Sequence, residues 1–456
     1  MIDKKVYKEI IKKLGKNKVF IDKEILYTYS YDATRKHYLP DIVVIPENED
    51  DIEILIKIAY KNKIPITPRG AGVGYSGGAL PVKGGIVLVF TKMQNMSINA
   101  QNFTAKVQPG VITIDLQEEC KKYGLFYPPD PASLKTSTIG GNVAENAGGP
   151  RCFKYGVTGN YILGLEGFLI NGKKFRAGSE IIKNVAGYNI KSLLVGSEGT
   201  LVIITKIIIR LIPLPEKKEL LRVDFNSLQT GAEFINLIIN SGISPSVLEF
   251  MDRSSMEAAC NYLEISLDKK VNASLIIELD GNLEDVRYRK KKILNLLNND
   301  SILFYMFADN LKQEALIWEL RRNISPAIAK LKPKKINEDI VVPVYKIPDT
   351  VKFINNLAKE LNLLIVLFGH FGDGNIHTNI MVDPDDDDEM GRANIALGKI
   401  FEYIVECGGS ISGEHGIGLS KKDFMSFQFN NTELNILKNI KKAFDPENLL
   451  NPGKIF

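Results

Sequence analysis

Three of the four histidines in this 456-residue chain stand in two short glycine-rich segments. Gly369-His-Phe-Gly-Asp-Gly-Asn-Ile-His377 supplies His370 and His377, and Ser412-Gly-Glu-His-Gly-Ile-Gly418 supplies Glu414 and His415. Two imidazoles and a carboxylate are a common protein ligand set for a divalent metal that keeps open positions. His370 ends an apolar, strand-like run over 363–368, and Gly372 and Gly374 let the chain fold back so that His377 can meet it. The pattern is not the H-E-x-x-H helix of a zinc peptidase. The plain alternative is core histidines in tight turns, and their company in a chain so poor in histidine weighs against it. His37, in Thr34-Arg-Lys-His-Tyr38, lies outside both segments and takes no role, and Asp373 reads as a turn former or as a hydrogen-bond partner of the ligands rather than a ligand.

A second chemistry-bearing pattern lies earlier. Pro68-Arg-Gly-Ala-Gly-Val-Gly-Tyr-Ser-Gly-Gly78 contains G-x-G-x-x-G at Gly72, Gly74 and Gly77. A nicotinamide-binding βαβ unit needs a helix to open there. Here Pro81 and the Gly84-Gly85 pair lead instead into the strand-like 86–90, which argues against that helix. Glycine-rich backbone can still cradle a diphosphate, because successive N–H groups form a concave nest. Taken alone, the loop serves equally as a bare turn. Further glycine loops follow: 128–133 (PPDPAS), 138–149 (TIGGNVAENAGG), Lys154-Tyr-Gly156 and Gly196-Ser-Glu-Gly-Thr200. Glycine spread over about 130 residues suits a long dinucleotide lying along one domain.

The elements that position these loops are short. Runs at 43–46, 64–68, 86–90 and 104–108 read as strands, with an amphipathic helix over 50–62 and a surface helix at the N-terminus. Ile212-Pro-Leu-Pro215 marks a boundary, beyond which strands at 220–225 and 274–280 alternate with long charged helices such as 285–297. The acidic run 383–389 reads as a solvated loop. Lys and Arg total 58 against 54 for Asp and Glu, a net charge of +4, too balanced to argue for nucleic acid. Cys120, Cys152, Cys260 and Cys407 are scattered, which speaks against an iron–sulfur cluster and fits a reducing compartment. No stretch supplies the roughly 20 apolar residues of a membrane span, so a cytoplasmic protein is expected, peripheral to the membrane at most through a partner.

The ordered set PRGAGVGYSGGA, PPDPAS, GGNVAENAGG, KYG and GSEGT resembles the vanillyl-alcohol oxidase/p-cresol methylhydroxylase superfamily. Within it, the branch containing glycolate oxidase flavin subunits, D-lactate dehydrogenases and D-2-hydroxyglutarate dehydrogenases is most similar. The likeness extends to the closing Asp445-Pro-Glu-Asn-Leu-Leu-Asn-Pro-Gly453. It implies an α+β fold with a two-subdomain FAD-binding domain of the p-cresol methylhydroxylase type over 1–215 (core about 38–215). An α+β substrate or cap domain would follow over 216–405, and a segment returning to the FAD domain over 406–456.

By the same resemblance, FAD would be held by Pro68, Arg69, Gly70, Ala71, Gly72, Gly74, Tyr75, Ser76, Gly77 and Gly78. Pro129, Asp130 and Ser133 join them, with Gly140, Gly141, Asn142, Asn146 and Gly149, then Tyr155, Gly156, Glu198, Gly199 and Asn451. Members that tether flavin through histidine carry it in or near the first glycine loop. Here Ala79 follows Gly78, so non-covalent FAD is expected. His370, His377 and Glu414 would bind one divalent metal, zinc with iron or manganese as alternatives, and His415 would be the base. Arg321 would grip the substrate carboxylate, with Asn379 and Ser325 also at substrate. Ser325 and Lys335 or Asn337 only approximate the pattern of members that act on dicarboxylates, so lactate or glycolate is favoured. The reaction expected is oxidation of a small (D-)2-hydroxy acid to the 2-oxo acid. Electrons would leave to an external acceptor: an electron-transferring flavoprotein, an iron–sulfur subunit, a cytochrome or a quinone. Two alternatives are a non-catalytic electron-relay flavin subunit and a non-redox FAD enzyme such as an ether-lipid synthase.

Overall fold

In the computed structural model, which describes residues 2–456, the chain forms two units. The first takes residues 2–148, 157–214 and 414–456; the second takes 149–156 and 215–413. The chain therefore returns at 414 rather than at the expected 406. The eight residues 149–156, expected in the first unit, pack in the second. The reason is electrostatic: Lys154 Nζ donates to Asp280 Oδ1 at 2.5 Å, and the Tyr155 hydroxyl donates to Asp280 Oδ2 at 2.8 Å.

The first unit is built on two main sheets. In the four-stranded sheet, Val19–Phe20, Ile42–Val44, Ile86–Val89 and Ile66–Arg69 lie side by side in that order, the last three mutually parallel. Adjacent parallel strands need a crossover, usually a helix. Ile66–Arg69 reaches Ile86–Val89 without one, through the glycine loop, as Pro81 and the paired glycines require. The core of this unit buries Ile52, Leu55, Ile56 and Ala59, the expected stripe of the helix Glu49–Lys61, with Ile10 and Leu14 of Lys4–Leu14 beside them. The five-stranded sheet is antiparallel, ordered Met96–Asn99, Thr104–Val107, Ile203–Arg210, Ile162–Phe168, Lys174–Gly178. The closing segment adds to the first sheet's margin: Ile66 N–H donates to Leu449 O at 2.8 Å and Asn451 N–H to Ile66 O at 2.7 Å.

Two expectations are corrected. Residues 139–145, read as loop, form the helix Ile139–Glu145, because Thr138 caps its N-terminus by accepting from Gly141 N–H and Asn146 ends it in the left-handed conformation (φ 53°). The acidic run is an exposed turn only as far as 386, and its remainder is the start of a helix. Asp386 caps Asp387–Glu406, and Asp387, Asp388 and Glu389 fill its first turn, where carboxylates complement the helix dipole.

The second unit is one antiparallel seven-stranded sheet, ordered Ile302–Phe307, Lys217–Phe225, Ala273–Gly281, Val247–Asp252, Leu364–Gly369, Asn375–Val382, Lys334–Val341. The helices Arg253–Tyr262, Leu311–Arg322 and Ile324–Ile328 bury Met256, Ile317, Leu320 and Ile328 against Met251, Ile276, Val366 and Phe368. Among the described residues no helix is long and apolar enough to cross a membrane.

Candidate active site

The two histidines of the first motif meet through a tight hairpin. Leu364–Gly369 and Asn375–Val382 pair antiparallel with Phe368 opposite His377, and the short 3₁₀ turn Phe371–Asp373 joins them. Gly374 at φ 85° closes the turn. Because side chains alternate along a strand, His370, two residues past Phe368, projects to the side that carries His377. The rings stand 5.2 Å apart at 81°, and both residues are buried.

Beyond them lies a residue the sequence reading missed. Glu249, in the centre of the buried strand Val247–Asp252, is 0% exposed. Its Oε1 accepts from His370 Nδ1 and its Oε2 from Arg321 Nε. Burial works against its charge, but Arg321 and His370 outweigh that and hold the carboxyl at about 2. An Nδ1 bound to a carboxylate, as His370 has here, is the arrangement usual for metal-bound imidazole. A carboxylate in the middle of an apolar strand run was the available signal. Arg321 is not on a solvated helix face: it is 9% exposed, with its guanidinium 4.9 Å from the centre of the Phe368 ring.

The remaining substrate candidates occupy the same sheet face or the helices over it. Asn379 is fully buried, its Nδ2 donating to Val366 O and His377 O at 3.3 Å, while its Oδ1 meets no donor among the described residues. Ser325 Oγ accepts from Lys335 Nζ at 3.1 Å. At the sheet's far edge Asp339 stands opposite His377, and Gly413 N–H donates to both Asp339 O and Asp339 Oδ2 at 2.8 Å. One peptide bond further on is Glu414.

In the first unit, the opening glycine loop suits a diphosphate by its own structure. Among the described residues, the N–H groups of Ala71, Gly72, Val73 and Gly74 donate to no protein acceptor. A Cβ at Gly74 would meet nothing within 4 Å. Gly72, at φ 71°, lies over the buried Arg69 guanidinium, which donates to Tyr31 O at 2.8 Å. Such a nest of donors over a cation fits a phosphate group. Asn451 fixes two loops together, its Nδ2 donating to Gly78 O and Glu198 O at 2.9 Å each. Asn142 donates to Thr113 Oγ1 at 2.7 Å, Asn146 Oδ1 accepts from Gly159 N–H, and Pro129 O accepts from Gln117 Nε2 at 2.9 Å. Gly149, Tyr155 and Gly156, expected with these loops, lie in the second unit instead.

The returning segment docks on that first loop. Leu419 N–H donates to Ser76 O at 2.7 Å, and the His415 ring lies 5.1 Å from that of Tyr75. His415 Nε2 is 3.9 Å from Glu414 Oε1, so the two neighbours turn to one side, which Gly416 at φ 82° permits. Glu198 Oε1 accepts from Ile417 N–H at 2.8 Å, and burial pushes its carboxyl up to about 7. A raised carboxyl favours folding fully below its unfolded value of 4.5, and that contribution is lost as pH rises through 7. Thermal melts should therefore show stability falling between pH 5 and 8, and Glu198→Gln, permanently neutral, should flatten the fall. Equal slopes for the two proteins would remove Glu198 as its cause.

Comparison with known proteins puts a boundary at the same place as the structure, near residue 214, although its second model also takes in the returning segment. A family model described as FAD binding domain matches residues 40–178, and one described as FAD linked oxidases, C-terminal domain, matches 214–455. The chain is 41% identical to the glycolate oxidase subunit GlcD of Bacillus subtilis (strain 168), covering 100% of this chain and 97% of that protein. It is 32% identical to a D-lactate dehydrogenase of Anaerostipes hadrus (98% and 96% covered) and 30% to a D-2-hydroxyglutarate dehydrogenase of Stutzerimonas stutzeri (100% and 100%). Of solved structures, p-cresol methylhydroxylase with substrate bound aligns at TM-score 0.79 and 17% identity, covering 99% of this chain and 96% of that one. An alkyldihydroxyacetonephosphate synthase aligns at 0.75 and 20%, covering 99% and 86%. These two establish the fold alone.

Proposed function

The chain belongs to the FAD-linked oxidase family, and from that premise we propose that it is a dehydrogenase oxidising a small 2-hydroxy acid, glycolate or lactate, to the 2-oxo acid. The observation that carries this reading is the His370–Glu249–Arg321 chain beside His377. A 2-hydroxy acid presents a carboxylate and an adjacent hydroxyl, and this arrangement offers a guanidinium for the first next to a metal-type imidazole pair for the second.

Within the proposal, His370, His377 and Glu414 hold a divalent metal, with zinc the first choice and iron or manganese the alternatives. Such an ion, when bound, supplies Lewis acidity that makes the substrate hydroxyl easier to deprotonate. Arg321 orients the carboxylate through its terminal Nη atoms. Asn379 contributes an unengaged amide oxygen on the same sheet face, suited to a hydroxyl donor. His415 takes the hydroxyl proton, a task for which an imidazole is suited near neutral pH. FAD would supply the acceptor for the hydride of the substrate's α-carbon. The loop amides of 71–74 hold its diphosphate. Electrons would then pass to an external acceptor, since Cys120, Cys152, Cys260 and Cys407 are too scattered in sequence to suggest an internal iron–sulfur cluster.

Non-covalent FAD is part of the proposal. Acid precipitation should release intact FAD and leave a colourless pellet, measured by absorbance and mass spectrometry of the supernatant. Flavin retained in the pellet contradicts it. The oxidation itself is tested by anaerobic flavin bleaching with glycolate, D-lactate and D-2-hydroxyglutarate, where bleaching by none of them sinks the reading.

A further inference from the structure

We propose that Glu249 is a positioning residue that sets the metal ligand His370 and the carboxylate-binding Arg321 in one fixed relation, so that metal affinity and substrate affinity are coupled through a single side chain. The inference rests on the reading of the site given above.

Glu249 is out of place in its strand. Val247-Leu-Glu-Phe-Met-Asp252 is buried at all six positions and lies between two strands of the sheet. A carboxylate there loses its hydration, a large cost unless partners replace it. Partners do replace it, but stability is a poor reason to keep such a group. Replacing a buried ion pair with apolar side chains of similar volume is often neutral or stabilising. What the pair supplies that leucine could not is direction.

Each oxygen has one task. Oε1 accepts from His370 Nδ1, which fixes the tautomer and the plane of the ring and turns Nε2 away from the strand. Oε2 accepts from Arg321 Nε. A guanidinium held at Nε can no longer rotate about its last bonds, and its two Nη groups face outward as a fork, the edge that binds a carboxylate in two parallel hydrogen bonds. Among the described residues these Nη groups donate to no protein acceptor. The ring of Phe368, 4.9 Å from the guanidinium carbon, covers one face of the fork and leaves it no alternative orientation.

The sheet supplies the rigidity. Met251, two residues along from Glu249, pairs with Phe368, and His370 is two residues beyond Phe368. Glu249 and His370 therefore project from the same face of adjacent strands, while Arg321 descends from the helix Leu311–Arg322 packed over that face. A 2-hydroxy acid has its carboxylate and hydroxyl on neighbouring carbons, so the cation for one and the ligand set for the other must keep a constant separation. One carboxylate bonded to both imposes it.

The test compares Glu249→Gln, Arg321→Lys and the double variant with the wild-type holoprotein. Zinc affinity is read by equilibrium titration against a chromophoric chelator, and KM and kcat with glycolate and D-lactate. Glu249→Gln keeps its FAD but should lose about 10–100-fold in zinc affinity, the range typical of losing a metal ligand's outer partner, and should also raise KM. Arg321→Lys keeps a positive charge beside Glu249 but loses the fork, so KM should rise while zinc affinity stays within about twofold. The double variant's KM should not exceed that of the worse single variant by more than about twofold, because both changes misplace the same fork. Glu249→Asp retains the charge but is one methylene short. It should restore zinc affinity or KM and not both, and it carries the test alone if Glu249→Gln fails to fold. A Glu249→Gln protein with wild-type zinc affinity, or with wild-type KM, overturns the coupling. Wild-type protein that binds no divalent metal, or bleaches its flavin with no 2-hydroxy acid, overturns the reading of the site and the inference with it.

Discussion

Substituting His370 or His377 by alanine should abolish bound divalent metal and hydroxy-acid oxidation while leaving the flavin in place. Each variant should weaken the metal by more than the 10–100-fold that loss of an outer-shell partner causes, because a direct ligand is removed. The flavin should stay, since the loop amides of 71–74 assigned to its diphosphate belong to the other unit. Neither change should unfold the hairpin. The Phe371 ring remains stacked on Phe250 at 4.4 Å and 11°, and Gly369 and Gly374 keep their left-handed backbone. The two variants should nevertheless differ in one respect. Among the described residues, alanine at 370 leaves buried Glu249 with Arg321 as its remaining strong partner, whereas alanine at 377 leaves the Glu249–His370 contact intact. Losing one partner of a buried charge is destabilising, so His370→Ala should melt at the lower temperature. Elemental analysis, flavin absorbance and thermal melts check all three statements. Metal at wild-type stoichiometry in either variant would remove that histidine from the ligand set.

Both histidines were legible from sequence because glycine spacing announces a turn, and a turn between two apolar runs is a hairpin. Their meeting follows from hairpin register, which is a local property. Glu249 was not legible for the opposite reason. It is 121 residues from His370 and 72 from Arg321, and it stands in a run whose apolar neighbours already account for a strand. Only the pairing of Met251 with Phe368 reveals that its side chain shares a face with the histidine. Arg321 was readable as a candidate but not as a buried one, because burial depends on which face of its helix lies against the sheet.

The glycine loops teach the same lesson about range. Their content correctly excluded a crossover helix after Gly78, since Pro81 and Gly84-Gly85 are local obstacles. That reasoning overreached at 139–145, where two glycines were read as loop although Thr138 caps a helix whose third residue carries the accepted N–H. The motif Lys154-Tyr-Gly156 was assigned by its neighbours in sequence, yet its side chains bond to Asp280, 126 and 125 residues away. The acidic run was likewise read by composition alone, and its capping role at Asp386 overrides that.

Glu414→Gln and His415→Asn should fail in different ways although the two residues are adjacent. Neighbours on an extended strand point to opposite sides, but here the backbone bends and brings His415 Nε2 to 3.9 Å from the Glu414 carboxylate. Both side chains can therefore serve one centre, one holding and one reacting. Glu414 follows Gly413, whose N–H is bound to Asp339 directly across the sheet from His377; the covalent chain alone keeps its carboxylate on a short tether from that pair. Glu414→Gln retains the shape and loses the anion, so metal content should drop and excess metal should restore part of the activity. His415, lying against Tyr75 of the glycine loop, is assigned the proton transfer. His415→Asn should keep metal, FAD and substrate binding yet reduce its flavin about 10²–10⁴-fold more slowly, the usual contribution of a general base. The loss should also shrink as pH rises, because hydroxide can replace a missing base but not a missing ligand. Anaerobic stopped-flow bleaching across pH, with metal analysis of the same samples, separates the two. Flavin reduction by His415→Asn at nearly the wild-type rate would take His415 out of the mechanism, and restoration of that variant by added metal would make it a ligand instead.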